Sequence, residues 1–231
     1  MTPPGRNEGE ATLSSASYRS ELQQSRPQER GLYPMCKRAF DVMAAGAGIL
    51  AISPLLLIIA ICIKLEDPKG KVLFSQMRVG KQGRTFRMYK FRSMVHDAED
   101  QLEKLLKHNE VEGAMFKMKD DPRITKIGRF IRKTSIDELP QLLNVLRGEM
   151  SLVGPRPPLP REVEEYTDYD RQRLAVTPGC TGLWQVSGRN ELSFAQMVEL
   201  DLKYIRKRSM LLDLKILLLT VKVIFFPNSA Y

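Results

Sequence analysis

Two adjacent carboxylates, Asp137 and Glu138, stand in the stretch Ser135-Ile136-Asp137-Glu138-Leu139-Pro140. Ser135 and Glu138 have capping-box spacing, and Pro140 suits the first three positions of a helix. The pattern predicts a helix over Asp137 to Leu146, opened by Thr134-Ser135 or one or two residues later, and closed by Arg147-Gly148. Asp137 then falls at a helix N-terminus, where free N–H groups and the dipole favour negative charge. A carboxylate kept ionised there can attack phosphorus or ligate Mg²⁺. The same pair can equally serve as a helix cap, and these residues alone leave both readings open.

The surroundings are cationic. Arg123, Arg129 and Arg132 precede the pair, and Arg147 and Arg156 follow it. Arg156 sits in a stiff Pro155-Arg156-Pro157 frame, so its guanidinium loses little backbone entropy on gripping a phosphate. Lys90 and Arg92, in Tyr89-Lys90-Phe91-Arg92-Ser93-Met94, add to a candidate anion site. A carboxylate among arginines is equipment for phosphoryl transfer, where positioning and charge neutralisation supply most of the catalysis. Cations interleaved with Tyr and Phe also suit an RNA-binding strand, but no RNP-type glycine-aromatic consensus is present. His96 and His108 are the only histidines, and Cys36, Cys62 and Cys180 lack metal-ligand spacing. A histidine triad, a zinc site and a disulfide framework are all poorly supplied.

These side chains need a scaffold, and its boldest element is an apolar run from Val42 to Ile63, broken at Ser53-Pro54. The run is long enough to cross a bilayer, since about 20 apolar residues suffice. Proline at its centre deletes a helical hydrogen bond, which the Ser53 hydroxyl can replace. Bent there, each arm reaches only about half of the ~30 Å hydrocarbon core. Lys37 and Arg38 precede the run, and Lys64, Lys69 and Lys71 follow it. Cationic flanks prefer the cytoplasmic side, which favours a re-entrant hairpin; a kinked single span is the alternative.

The 231 residues carry a net charge of +9. From Pro68 to His96 there are eight Lys or Arg and no carboxylate. Anionic lipid, nucleic acid and a pyrophosphate substrate all suit such a stretch, and charge alone does not choose. Residues 1–34, rich in Pro, Gly, Ser and Gln, read as a disordered tail; 35–66 form the membrane hairpin, and 67–231 one catalytic domain. In that domain, Val72 to Arg78 and Arg84 to Phe91 read as strands joined through Gly80-Lys81-Gln82-Gly83. Helices are expected over Ser93 to Glu110, Ile124 to Lys133, Glu162 to Ala175 and Ser193 to Arg208, with loops over Gly113 to Asp121 and around Trp184. A last apolar helix, Met210 to Phe226, places Asp213 and Thr220 on one face and Lys215 and Lys222 on the other. Its lysines favour a membrane-interface position over the soluble core.

Six ordered motifs resemble the bacterial sugar transferases, the monotopic polyprenol-phosphate phosphoglycosyl transferases. They are Lys37-Arg38-Ala39-Phe40-Asp41, the Ser53-Pro54 break, Lys90-Phe91-Arg92-Ser93-Met94, Asp137-Glu138-Leu139-Pro140-Gln141, Met150 through Pro157, and Pro178 through Gln185. The resemblance covers about residues 35 to 226, without departure at the key positions, and is to the minimal form of the family. It implies a helix-rich α+β fold with a re-entrant helix-break-helix, a short strand pair and interfacial helices. It implies that Asp137 attacks the sugar-bearing phosphate of a UDP-sugar, releasing UMP and leaving a phosphosugar-aspartyl intermediate. Glu138 would hold Mg²⁺, and undecaprenyl phosphate would then accept the sugar phosphate. Lys90, Arg92, Arg132 and Arg156 would contact phosphate or support the dyad, with Thr181 and Gln185 near the nucleotide sugar. The setting implied is the cytoplasmic face of the bacterial inner membrane, at the start of exopolysaccharide, capsule or O-antigen assembly, without nucleic acid. Leu183 through Arg189 resembles members using UDP-glucose or UDP-galactose. Oligomeric state is not legible in the sequence.

Overall fold

A computed structural model describes residues 31–105, 118, 121–188 and 192–225. The tail over 1–30, most of the expected loop over 113–121, the end of the helix expected to reach Glu110, and Arg189 lie outside the described residues.

The apolar run forms one helix, α1 (Tyr33–Glu66), which continues through Ser53-Pro54 instead of breaking there. Pro54 has no N–H to offer the carbonyl of Leu50, four residues back. Ser53 Oγ donates to that same carbonyl at 2.8 Å, so the acceptor freed by the proline is satisfied. The middle of α1 stands clear of the protein, with Leu50 77% exposed. A helix this apolar and this bare is long enough to cross a membrane and suits hydrocarbon as its solvent.

Both ends of α1 are fastened to the rest of the fold. Ala45 is buried with Phe86, Met88, Val145 and Met150, and Ile59 and Ile63 with Phe91 and Ile131. Phe86, Met88 and Phe91 come from an antiparallel hairpin, β1 (Leu73–Val79) and β2 (Thr85–Phe91), in which Leu73 opposes Phe91. Both strands begin one residue later than the sequence pattern suggests. The turn between them needs positive φ at Gln82 and Gly83.

The chain then runs through α2 (Ala98–Leu105) to α3 (Lys126–Lys133). The helix expected from Ser93 starts five residues late, because Met94 pairs instead with Ile124. A Cβ at Gly128 would lie 2.0 Å from the carbonyl oxygen of Ser93, so only glycine lets α3 approach this closely.

A 3₁₀ turn over Ile136–Glu138 leads to α4 (Gln141–Arg147), which ends at Gly148 in the left-handed conformation. Next, β3 (Ser151–Val153) pairs in parallel with β4 (Gly179–Thr181), a second sheet the sequence does not announce. Between them the expected single helix over Glu162 to Ala175 is divided into α5 (Pro160–Glu164), α6 (Asp168–Arg171) and a 3₁₀ turn. Thr167 divides it by capping α6 in a reciprocal exchange with Asp170.

The last two helices are α7 (Phe194–Lys207), opened by a Ser193–Gln196 capping box, and α8 (Met210–Phe225). Val153, Val176, Val198, Leu202, Tyr204, Ile205 and Ile216 form the core between these helices and the parallel pair. One face of α8 therefore belongs to the core, against the simple interfacial reading. Asp213 is buried there, accepting from Tyr33, Tyr204 and Lys37. The opposite face keeps Leu211, Leu214 and Leu218 exposed beside Lys215 and Lys222, as an interfacial helix would.

Candidate active site

The dyad occupies the 3₁₀ turn between α3 and α4, and the expected helix N-terminus at Asp137 is absent. Ser135 makes no capping bond and lies at φ 56, ψ 16, a left-handed conformation unusual for a residue with a side chain. Pro140 sets the later start of α4, as its preference for early helical positions requires.

The two carboxyls titrate in opposite directions. Asp137 is 9% exposed. Burial raises its pKa, and the attraction of Lys90 and Arg132 only partly offsets burial and the charge of Glu138. The dipole argument for an easily ionised Asp137 is thus overridden by desolvation. For Glu138 burial also pushes upward, but Lys90, Arg156 and Arg78 together hold its carboxyl below the usual range. Lys90 Nζ lies 2.7 Å from Glu138 Oε1. A more basic aspartate beside a firmly ionised glutamate separates two chemical roles within one turn.

Arg132, on the last turn of α3, donates through Nε to Ser93 Oγ at 2.8 Å, and its guanidinium charge reaches Asp137. Arg156 is exposed between buried prolines, with its charge felt by Glu138 and by Arg78. Lys90, Arg132 and Arg156 are thus brought to the dyad from three separate elements.

Other expected site residues have the following neighbours. Arg92 donates to Asp67 Oδ2 at 2.8 Å and to its carbonyl at 2.7 Å, locking the end of α1 to the hairpin. Thr181 is buried with its hydroxyl 2.7 Å from that of Thr220 on α8. Alternation along β4 turns the neighbouring Cys180 the other way, where the charge of Glu138 raises its thiol pKa after burial. Gln185 lies in the 3₁₀ turn over Trp184–Val186, against Gly182. Arg147 stacks over the Tyr89 ring at 5.0 Å, and Arg123 is bound to Asp121.

Sequence reasoning passed over Arg78. It is 6% exposed. It donates to Pro157 O at 3.1 Å and to Gln76 Oε1 at 2.8 Å. Burial, then the adjacent Arg156, push its pKa down to about 10. Val79 N also donates to Pro158 O, so the end of β1 fixes the proline frame that presents Arg156. The only signal for this was one more arginine in a cation-rich stretch, and strand alternation could not rank it above its neighbours.

Among the described residues no group of three or more His, Cys, Asp or Glu is placed to hold a metal. Asp137 and Glu138 still fit Mg²⁺ in its usual manner, with one or two carboxylates completed by substrate phosphate and water.

The arrangement suits a protein that handles phosphate esters beside an apolar helix. The chain belongs to the bacterial sugar transferase family, whose model it matches over residues 32–227. It is 51% identical over 199 residues to the galactosyl transferase CpsE of Streptococcus agalactiae, an alignment covering 85% of this chain and 43% of that protein. It is 44% identical to the undecaprenyl-phosphate galactose phosphotransferase of Salmonella typhimurium, covering 84% of this chain and 41% of that one. The chain therefore spans about two fifths of those relatives. With the exopolysaccharide production protein ExoY of Rhizobium meliloti the identity is 41%, covering 89% of this chain and 94% of the relative.

Proposed function

We propose that this transferase moves a hexose 1-phosphate from a UDP-sugar to undecaprenyl phosphate, through a covalent intermediate on Asp137. The observation that carries the reading is the divided dyad: Asp137 buried and more basic than usual, Glu138 held ionised by Lys90 2.7 Å away.

In the first half-reaction an Asp137 carboxylate oxygen attacks the sugar-bearing phosphorus. The anhydride bond breaks, and UMP leaves with the bonding electron pair. Lys90, Arg132 and Arg156 neutralise the charge gathered on the phosphoryl oxygens. In the second, a phosphate oxygen of undecaprenyl phosphate attacks the same phosphorus. The bond to Asp137 breaks, which frees the carboxylate and gives undecaprenyl-diphosphate-sugar. Glu138 would hold Mg²⁺, whose contribution when bound is to screen the two carboxylates from the diphosphate. Galactose or glucose is the favoured sugar, since relatives at 44% and 46% identity are named for galactose and glucose phosphotransfer.

The bare middle of α1 and its proline, with both helix ends tied to one body, support a re-entrant helix entering from the cytoplasmic face of the inner membrane. This reaction would begin exopolysaccharide, capsule or O-antigen assembly. The test omits the lipid acceptor: protein and UDP-galactose or UDP-glucose alone should yield about one UMP per protein and a hexose-phosphate mass on the peptide containing Asp137. Failure of a panel of UDP-sugars to release UMP, or full turnover in Asp137→Asn, overturns the reading.

A further inference from the structure

The turn carrying the dyad is weakly held by its own bonds. Ser135 N–Arg132 O and Glu138 N–Ser135 O are both 3.2 Å, and Leu139 N–Ile136 O is 3.1 Å, at the long end of the normal range. Ser135 adds a sparsely populated backbone conformation, which persists only where the surroundings impose it. Those surroundings are α3 before the turn, α4 after it, and β2 beside it, where Lys90 reaches Glu138 at 2.7 Å and Ile136 packs near Phe91.

Both flanking helices are gripped at their outer ends by α1. Near the end of α1, Glu66 accepts from Lys126 N at 2.7 Å and from Ile127 N at 3.0 Å. Near its start, Arg38 donates to Val145 O at 2.6 Å and to Leu146 O at 2.9 Å. A carboxylate thus meets the N–H groups that open α3, and a guanidinium meets two of the carbonyls that close α4, Val145 O accepting also from Gly148 N at 3.0 Å. Each charge also has the sign its helix dipole prefers. The turn sits between two helices whose far ends are fixed to one membrane-type helix by complementary clamps.

We infer that Arg38 and Glu66 are positioning residues for the transfer reaction, setting the spacing of α3 and α4 and so the aim of Asp137. This rests on the proposed role of the dyad. Neither clamp is needed to dock α1. The apolar clusters around Ala45 and around Ile59 and Ile63 do that, while both clamp residues are exposed. Their loss should therefore leave the fold and membrane attachment intact and loosen the turn. Misplacement of reacting atoms by about 1 Å can cost 10²-fold in rate.

The test uses the full chain in bilayer nanodiscs, as Arg38→Gln, Glu66→Gln, the double variant, Arg38→Lys and Asp137→Asn. UMP release from UDP-galactose with undecaprenyl phosphate should show kcat reduced about 10-fold or more in each Gln variant, with KM changed less than about twofold. The double variant should lose less than the product of the two, because release at either end already frees the turn. Arg38→Lys should recover a substantial part. Amide exchange over residues 135–139 should quicken in both Gln variants while co-sedimentation with membranes stays unchanged. Wild-type kcat and exchange in both Gln variants, beside an inactive Asp137→Asn, overturn the clamp. So does a kcat loss that tracks loss of membrane binding. An active Asp137→Asn overturns the dyad reading instead, and the exchange measurement then still decides whether the clamps order the turn.

Discussion

Lys90 Nζ and Glu138 Oε1 meet at 2.7 Å across 48 residues of sequence, tying β2 to the turn that carries the dyad. The pair is only partly enclosed, with side-chain exposures of 21% and 41%, so its contribution to stability is small. Its effect is electrostatic and local. The same ammonium lowers the pKa of Glu138 and of Asp137, countering burial at both.

Removing that charge should affect chemistry more than folding. Lys90→Gln is expected to lower kcat for UMP release by about 10²-fold, in line with losing one positioned electrostatic contact. The melting temperature should stay within a few degrees. Steady-state kinetics on detergent-solubilised protein reads the first and thermal unfolding the second, and an unchanged kcat would contradict the role given to Lys90.

Metal removal is the second test. Two ionised carboxylates facing a diphosphate repel it by roughly several kcal/mol without a counter-charge, and hard oxygen ligands suit Mg²⁺. Excess chelator should abolish UMP release, and Mg²⁺ or Mn²⁺ should restore it. Undiminished turnover in chelator rules out the role of Glu138 as a metal ligand.

Topology is the third. Replacing Ser53-Pro54 with Ala-Leu restores the helical hydrogen bond to Leu50 O, which should favour a span over the re-entrant arrangement and lower activity. Single cysteines near Ser15 and near Gly70, in a chain stripped of its own, should both react with an impermeant thiol reagent only from the cytoplasm in the parent. Labelling of the Ser15 site from outside intact cells overturns the re-entrant arrangement.

Thr181 gives a negative control within a family motif. The Thr220 hydroxyl donates to Ile216 O at 2.8 Å, which leaves Thr181 as donor in their mutual bond. Thr181→Val should cost about 1 kcal/mol of stability and leave KM for the UDP-sugar unchanged. A KM raised several-fold would return Thr181 to the substrate site.

Asp201 supplies a pH test. It is wholly enclosed with Arg173 Nε at 2.8 Å, and burial still pushes its carboxyl up to about 6. A raised folded-state value means stability fully present below the ordinary 3.8 and lost as pH rises through about 6. Between pH 4 and 7 the stability of wild type relative to Asp201→Asn should therefore fall, on the order of 1–3 kcal/mol. Thermal unfolding at several pH values reads the slope, and a flat difference refutes the shift.

Short-range chemistry is what the sequence alone determined. The hairpin followed from two strand-like runs around a Gly-rich turn, α7 from its amphipathic pattern, and the Ser53 bond at the proline from helical arithmetic. The pairing of Asp137 with Glu138 and the basic character around them were likewise visible. Tertiary structure decided the rest, because it turned on contacts between residues far apart in the chain. Burial, not a helix dipole, sets Asp137; Asp67 binds Arg92; and the buried Arg78 brings its charge to Glu138 unannounced. The strands β3 and β4 have three residues each and no periodic signal, so only their parallel contact defines them. Strand alternation says that Cys180 and Thr181 face opposite ways, but only the packing of α8 says which one meets Thr220.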